Sequence, residues 1–412
     1  MHKQISPVSG RERIDYLDVL RGIAILGIFI TNINWFSLYS KGLNGPFHFA
    51  EADSIIGFLQ YMFIEGKFYS IFSFLFGWGI AMQLSKFVEN DKSASKFIHR
   101  RLFFMMLLGS IHMLLIWEGD IVFFYALIGF ALVALRNFSN KTLLITGILL
   151  ILSPILLYYL KLKFPILNAP VEILINKGEQ IYAYKGWINQ DVSRTDVLRE
   201  SKSILTNIWI NVGDAPYRFA YIFFTSRISK ILGIMLIGFV IGRSQIYPKI
   251  MEHKRKLFVW SVLVLIISLP LNYLVAKYMT GIVSAYSITM EGLILSIIYT
   301  FGVFPLALVY MAFIALAFEI KKIRKFLLFI SPVGKMAFSN YIMQSLLGIL
   351  IFYGIGFGLM ENFGILMLTI IALVIFIFQI IYSSIWLKYF RFGPIEWVWR
   401  SLTYGNKQPL KK

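Results

Sequence analysis

Apolar runs of about twenty residues recur along the whole chain, each closed off by charged or turn-forming residues. At 1.5 Å per residue, a helix needs about 20 residues to cross roughly 30 Å of hydrocarbon. Ten stretches fit that template, near 16–37, 55–85, 102–117, 121–135, 142–160, 219–243, 257–276, 286–318, 333–357 and 363–387. They predict an all-α, polytopic integral membrane helical bundle of about ten transmembrane helices. The third and fourth are short and joined only by Trp117, Glu118, Gly119 and Asp120, which predicts a tight helical hairpin. The second is interrupted by Glu65, Gly66 and Lys67, and an interrupted span is a place to look for a site.

Composition supports the same class: 58% of the 412 residues are hydrophobic, above the roughly 45–50% of soluble domains. The net charge of +19 does not argue for nucleic acid, because the bases gather between apolar runs. The short loops that alternate to one side hold 25 Lys and Arg, and those on the other side hold 2. Cytoplasmic loops collect Lys and Arg, so both termini are expected in the cytoplasm and the protein in the bacterial cell membrane as a multi-pass protein. The N-terminal segment lacks a small-residue cleavage site and reads as a retained first span. Residues 161–218 form one long extracytoplasmic loop, expected as a helical lid or interfacial segment. It divides the chain into a five-helix half at 1–160 and a second half with a cytoplasmic tail at 219–412. No sequence repeat relates the two.

The chain has no cysteine, which excludes disulfides, thiolate metal sites and cysteine nucleophiles. No two histidines share a metal-binding helical spacing, so no metal is expected. Neither a nucleotide-binding glycine motif nor a GxSxG elbow is present, and no covalently bound cofactor is expected.

Ionisable residues inside spans usually face a cavity or a polar pathway. His112 lies eleven residues beyond Arg101, about 16 Å along the helix axis and so near mid-depth. Asp120 follows at the hairpin turn, but eight helical residues span over 10 Å, which argues against a direct bond to His112. His48, with Glu51 and Asp53 close behind, is a rival for proton transfer. Asp18 and Arg21 share a helical face, as an anchoring salt bridge or as an anion contact. Glu65 and Lys67 do not face each other on a regular helix, so each seeks a partner elsewhere. Asn340, Tyr341, Gln344 and Ser345 lie along about one and a half turns of the ninth span, and Asn340 and Gln344 share a face that suits helix packing or a polar cavity wall. In the tail, Glu396 and Arg400 are spaced to pair, with Arg391 and Arg400 as anion contacts.

The blocks LDVLRGIAILGIFITNI, EGKFYSIFSFLFG, LLGSIHMLLIWEGDIVFFYALIG, SNYIMQSLLGILIFYGIGFG and RFGPIEWVWRSLTYG together resemble the YeiB-like bacterial membrane proteins, over essentially the whole chain. The first span is also similar to two membrane acyltransferase groups, acyltransferase-3 and the heparan glucosaminide N-acetyltransferases. Both begin with Asp, two or three residues and Arg-Gly before an apolar helix. Where acyltransferase-3 commonly has a histidine, eleven residues after the arginine, this chain has Asn32, as the glucosaminide group does. The resemblance implies transfer of an acyl group from cytoplasmic acyl-CoA to an extracytoplasmic hydroxyl or amine, on a glycan or lipid. His112 has no counterpart in either acyltransferase group and belongs to the YeiB-like pattern alone. As a histidine inside a span it is read as the general base, with His48, a loose fit to the later histidine of the glucosaminide group, as alternative, and Glu65 or Asp120 as orienting carboxylate. Arg21, Arg100 and Arg101 face the donor, and Asn32 or a backbone amide faces the oxyanion. The other expected functions are a transporter or exporter of a small polar solute, and a non-enzymatic membrane assembly protein.

Overall fold

The computed structural model describes residues 15–38, 46–85, 91–187, 194–281 and 288–412. The expected position of the N-terminus rests on residues 1–14 and lies outside them. Among the described residues the chain is an all-α helical membrane protein, with two isolated bridges and no strand. Within hydrocarbon every backbone N–H and C=O must be satisfied inside its own segment, which is why apolar runs of this length become helices.

Six described helices are long and apolar enough to cross a membrane. They are α1 (Asp15–Ser37), α4 (Asp91–Ile111, continued by a π-helical turn His112–Ile116), α6 (Asn140–Lys163), α12 (Lys254–Gly281), α13 (Met290–Phe318) and α17 (Ile365–Tyr389). A bent pair, α9 (Ile204–Phe224) and α10 (Arg227–Ser244), which meet at 65°, is apolar enough to count as a seventh when taken as one span. Two shorter apolar helices, α5 (Val122–Leu135) and α16 (Ala337–Phe352), complete the set by composition. The expected second span is two helices, α2 (Ala50–Phe63) and α3 (Lys67–Leu84), separated at Ile64–Gly66. Gly66 has φ +84°, which glycine adopts without strain. Segment 161–218 is largely helical, with α7 (Ala169–Tyr184), α8 (Arg194–Glu200) and most of α9. The short α11 (Tyr247–Glu252), α14 (Lys321–Leu327) and α15 (Ser331–Lys335) link longer helices, and α18 (Pro394–Tyr404) follows the last span.

Large apolar side chains face outward along three of the spans, among them Trp260 and Ile267 on α12, Leu149 and Leu156 on α6, and Val374 and Phe378 on α17. Polar side chains lie inside, where Asn272, Asn340 and Gln379 are 0% exposed. That inversion of the soluble pattern is what a lipid solvent selects, since an interior partner satisfies a polar group that hydrocarbon would not.

Helices α3 and α10 run side by side in parallel at very close range. A Cβ on Gly77 would fall 1.9 Å from the Met235 carbonyl oxygen, and one on Gly238 would fall 2.0 Å from that of Phe74. Small residues let backbones touch where no hydrophobic drive separates helix from lipid. The same register sets the first residues of α3 and α10 at one level.

Candidate active site

The hairpin between α4 and α5 builds the centre of the site. The chain leaves α4 through the π-helical turn, Trp117 N–H donates back to the His112 carbonyl at 2.8 Å, and Asp120 is thrown back toward the helix it has just left. His112 Nδ1 then lies 2.8 Å from Asp120 Oδ2. This corrects the expectation of no direct bond, which measured the separation along a straight helix. A π-turn and an immediate reversal replace axial distance by a fold-back, and π-turns recur at functional sites.

On the other face of the imidazole, Nε2 lies 3.0 Å from Ser345 Oγ of α16. His112 and Ser345 are 1% exposed and Asp120 is 0% exposed, so the three are sealed from solvent. A carboxylate only accepts, so Nδ1 carries the imidazole proton and Nε2 accepts from the serine hydroxyl. The other Asp120 oxygen accepts from Phe123 N–H at 2.7 Å, which caps the first turn of α5 and fixes the carboxylate. Serine, histidine and aspartate in this order can raise the nucleophilicity of a hydroxyl.

A cavity of about 320 Å³ leads toward this relay from the basic end of the bundle. Arg21, Arg101, Lys335 and Arg400 line it, with Asp18 and Glu396. Its shaft is apolar, with Ile25, Ile28, Phe72, Leu75 and Met105, and it closes on Ile121, Tyr125 and Tyr341. The Tyr341 ring lies 5.1 Å from the His112 ring, and its hydroxyl accepts from Ile121 N–H at 3.3 Å. Tyr125 donates to the Tyr69 carbonyl at 3.0 Å and shares a 2.7 Å bond with Ser73. Two tyrosines therefore form the wall between the cavity and the far half of the bundle.

The remaining expected residues divide by place. Asp18 and Arg21 pair at 2.7 Å at the cavity mouth. Arg101 stacks its guanidinium 3.7 Å over the Trp399 ring, within the cavity lining. Arg100, one residue earlier, turns outward and meets Gly405 and the Phe104 ring, so Arg101 lines the cavity and Arg100 does not. Neighbours on a helix diverge by about 100°. Arg400 lines the cavity, whereas Arg391 is exposed and donates to the Lys411 carbonyl at 3.0 Å, pinning the tail. Asn32 is half-buried on α1, outside the cavity lining and outside the bonds of His112.

Glu65 and Lys67 diverge, as their spacing predicts. Glu65 lies 3.8 Å from Arg227, and Lys67, fully buried, donates to the Tyr61 carbonyl at 2.8 Å. Of the two expected orienting carboxylates, Asp120 is the one on His112. His48 Nδ1 is 2.7 Å from Asp53 Oδ2 without the alignment of a hydrogen bond. Asp53 also accepts from Phe49 N–H at 2.7 Å and Leu366 N–H at 2.8 Å, so this pair ties the segment before α2 to α17. Asn340 and Gln344 are spent on packing: Asn340 donates to Ser383 at 2.9 Å, Gln344 donates to Gln379 at 2.9 Å, and Gln379 donates to the Asn340 carbonyl at 2.8 Å.

Glu396 does not serve α18 in the way its spacing with Arg400 suggests. Its carboxyl accepts from Phe338 N–H at 2.7 Å and Ser339 N–H at 3.1 Å, and it also bonds the Ser339 hydroxyl. Free N–H groups at the start of α16 attract it. Burial pushes the Glu396 carboxyl above its ordinary range, against the pull of these bonds. Among the described residues no three His, Asp or Glu side chains are grouped to hold a metal ion.

Sequence reading noted Ser345 and Tyr341 only as polar residues of a packing helix. It gave no role to Arg218, whose guanidinium donates to the Gly119 carbonyl at 3.2 Å and steadies the hairpin. Ser345 and His112 are 233 positions apart, and no local spacing announces such a pair.

Residues 241–406 match the family described as protein of unknown function DUF418. Across its length the chain is similar to the uncharacterized protein YxaH of Bacillus subtilis (strain 168), 31% identical with 99% of this chain and 98% of the relative covered. It is 28% identical to the uncharacterized protein YeiB of Escherichia coli (strain K12), with 97% and 98% covered. It is 25% identical to an uncharacterized 39.9 kDa protein in the amylase 3' region of Bacillus acidopullulyticus, with 98% of each covered. No solved structure matches the chain. On the similarity to YxaH and YeiB over essentially its full length, the chain belongs to the YeiB-like family of proteins that carry the DUF418 region.

Proposed function

We propose that the protein is a membrane acyltransferase that takes an acyl group from acyl-CoA on the basic, cytoplasmic side and delivers it to a hydroxyl or amine on the opposite side. The observation that carries this reading is the Ser345–His112–Asp120 relay, set one helical turn beyond the closed end of a cavity whose mouth holds Arg21, Arg101 and Arg400. Guanidinium groups suit the CoA phosphates, and the apolar shaft suits an acyl chain.

In this mechanism His112 Nε2 takes the hydroxyl proton as Ser345 Oγ attacks the thioester carbonyl. The carbon–sulfur bond breaks, the proton passes from His112 to the departing thiolate, and an acyl ester remains on Ser345. An acceptor hydroxyl or amine then attacks that ester from the far side, gives its proton to His112, and Ser345 recovers it. Asp120 holds the tautomer and supports the imidazolium. Tyr341, whose oxygen accepts from Ile121 N–H, keeps its own proton to offer the oxyanion, a role first expected of Asn32. The Tyr341 ring stands between the cavity and His112, so in this mechanism the donor reaches the relay past that ring.

The test is thermal stabilisation of the purified protein by acetyl-CoA, with release of free CoA thiol. The reading expects both, with release lost in His112→Ala. Proton-driven flux of a polar solute without either favours the transporter reading, which the two broken helix pairs support.

A further inference from the structure

Arg218, Arg227 and Lys230 gather on the far side of the tyrosine wall, with Lys67 at the level of Arg227, and the acyl-transfer chemistry gives none of them a chemical step. Lys67 opens α3 and Arg227 opens α10, and the parallel packing of the two helices sets them level. Each helix is preceded by a residue in the left-handed region, Gly66 at φ +84° and Ser226 at φ +50°, so the chain breaks twice at one place.

The cations are held by aromatic faces and carbonyls more than by acids. Arg227 lies 4.8 Å over the Tyr69 ring and 5.0 Å over the Tyr221 ring, and donates to the Tyr221 hydroxyl at 3.1 Å. Lys230, one turn along α10, sits 4.3 Å from the centre of the Tyr299 ring. Arg218 completes the set, with its Nε buried and unbonded among the described residues. Glu65, 3.8 Å from Arg227, is the one carboxylate within ion-pair distance of these four cations among the described residues. Glu65 keeps 25% and Arg227 14% of its side-chain exposure, so this part of the cluster is not closed off inside the protein.

Such a surplus of positive charge away from bulk water is costly without an anion. The start of two helices adds partial positive charge at the same level. A carboxylate offers two acceptor oxygens, whereas a phosphate group, as mono- or diester, offers more acceptor oxygens on one centre for Arg227, Lys230 and the tyrosine hydroxyls. Arg218 reaches from this cluster to the carbonyls of Gly119 at 3.2 Å and Asp120 at 3.4 Å. A ligand seated there therefore lies next to the turn that carries Asp120.

We propose that the cluster of Arg218, Arg227, Lys230 and Lys67 is a phosphate-binding site on the far side of the bundle, and that the phosphate belongs to the acyl acceptor. The second half of this statement rests on the acyl-transfer reading; the first does not. A phosphate-bearing acceptor is then either a lipid, through its headgroup, or a water-soluble phosphate ester.

The experiment titrates the full-length protein with inorganic phosphate against chloride at matched ionic strength, in nanodiscs of phosphatidylcholine, reading thermal stability and Kd. A parallel arm replaces part of the phosphatidylcholine by phosphatidylglycerol. Stabilisation by free phosphate supports the site with a soluble source, and stabilisation by phosphatidylglycerol alone supports it with a lipid source. In either arm Lys230→Gln weakens the effect about tenfold, the loss of one charge-assisted bond. Glu65→Gln strengthens it, because it removes the competing carboxylate, and this gain survives even where a cation variant fails to fold. No stabilisation in either arm, or an effect indifferent to Lys230 and Glu65, overturns the proposal. Acetyl-CoA stabilisation, read in the same samples, separates the outcomes: its loss with phosphate binding intact removes the acceptor assignment and leaves the site.

Discussion

His112 Nδ1 and Asp120 Oδ2 lie 2.8 Å apart although eight residues separate them in a hairpin of two helices. The contact exists because the last turn of the first helix widens to a π-turn and the chain reverses within four residues. It fixes which ring nitrogen carries the proton, and so which one meets Ser345.

Asp120→Asn keeps the shape of that contact, but with its oxygen held by Phe123 N–H it turns a donating NH2 toward Nδ1 and reverses the tautomer. CoA thiol release should fall by about 10²-fold or more, with acetyl-CoA affinity unchanged. Steady-state kinetics with separate kcat and KM check this, and a loss confined to KM would contradict it.

Tyr341→Phe deletes a hydroxyl whose proton is offered to the oxyanion while leaving the ring on His112. The expected outcome is a fall in kcat of about 10²-fold. Unchanged kcat in a folded variant would assign Tyr341 to the wall alone.

Arg21→Gln and Arg101→Gln remove charges at the cavity mouth. Each should weaken acetyl-CoA binding by about tenfold and reduce its salt dependence, whereas Arg391→Gln, at the pinned tail, should not. Calorimetric titration at two ionic strengths measures both effects.

Burial raises the Glu396 carboxyl above its ordinary range, so the folded chain holds that proton more tightly than the unfolded chain. The sign follows from linkage: the contribution to stability is fullest below the unfolded value and is lost as pH rises through the raised one. Thermal stability of the wild-type protein should therefore decline as pH rises above the ordinary carboxylate range, and Glu396→Gln should flatten that slope. A steeper slope in the variant would contradict the assignment.

The helical class and the break at Glu65–Lys67 are legible in the sequence because each is a local matter of apolar run length or of a glycine between charges. That Asn340 and Gln344 share one face is also legible from their spacing of four, but the choice between packing and a cavity wall is made only by the partners Ser383 and Gln379. The relay was half visible. His112 stands out as an ionisable residue in an apolar run, but the distance to Asp120 is misjudged when a π-turn is read as a straight helix. Ser345 is invisible as a partner, because a contact across 233 positions is made by tertiary packing and leaves no spacing to read. Arg100 and Arg101 show the same limit at short range. Adjacent letters point to different sides of a helix, and only the neighbour Trp399 decides which one faces the cavity.

The central claim is that Ser345, activated by His112, carries the acyl group between the two sides. Mass spectrometry of the intact and digested protein after incubation with acetyl-CoA, without acceptor, tests it most directly. The account predicts one acetyl group per chain, located on Ser345 and absent from His112→Ala and Ser345→Ala. Release of CoA thiol by Ser345→Ala at the wild-type rate, with no adduct on the wild-type protein, would contradict it.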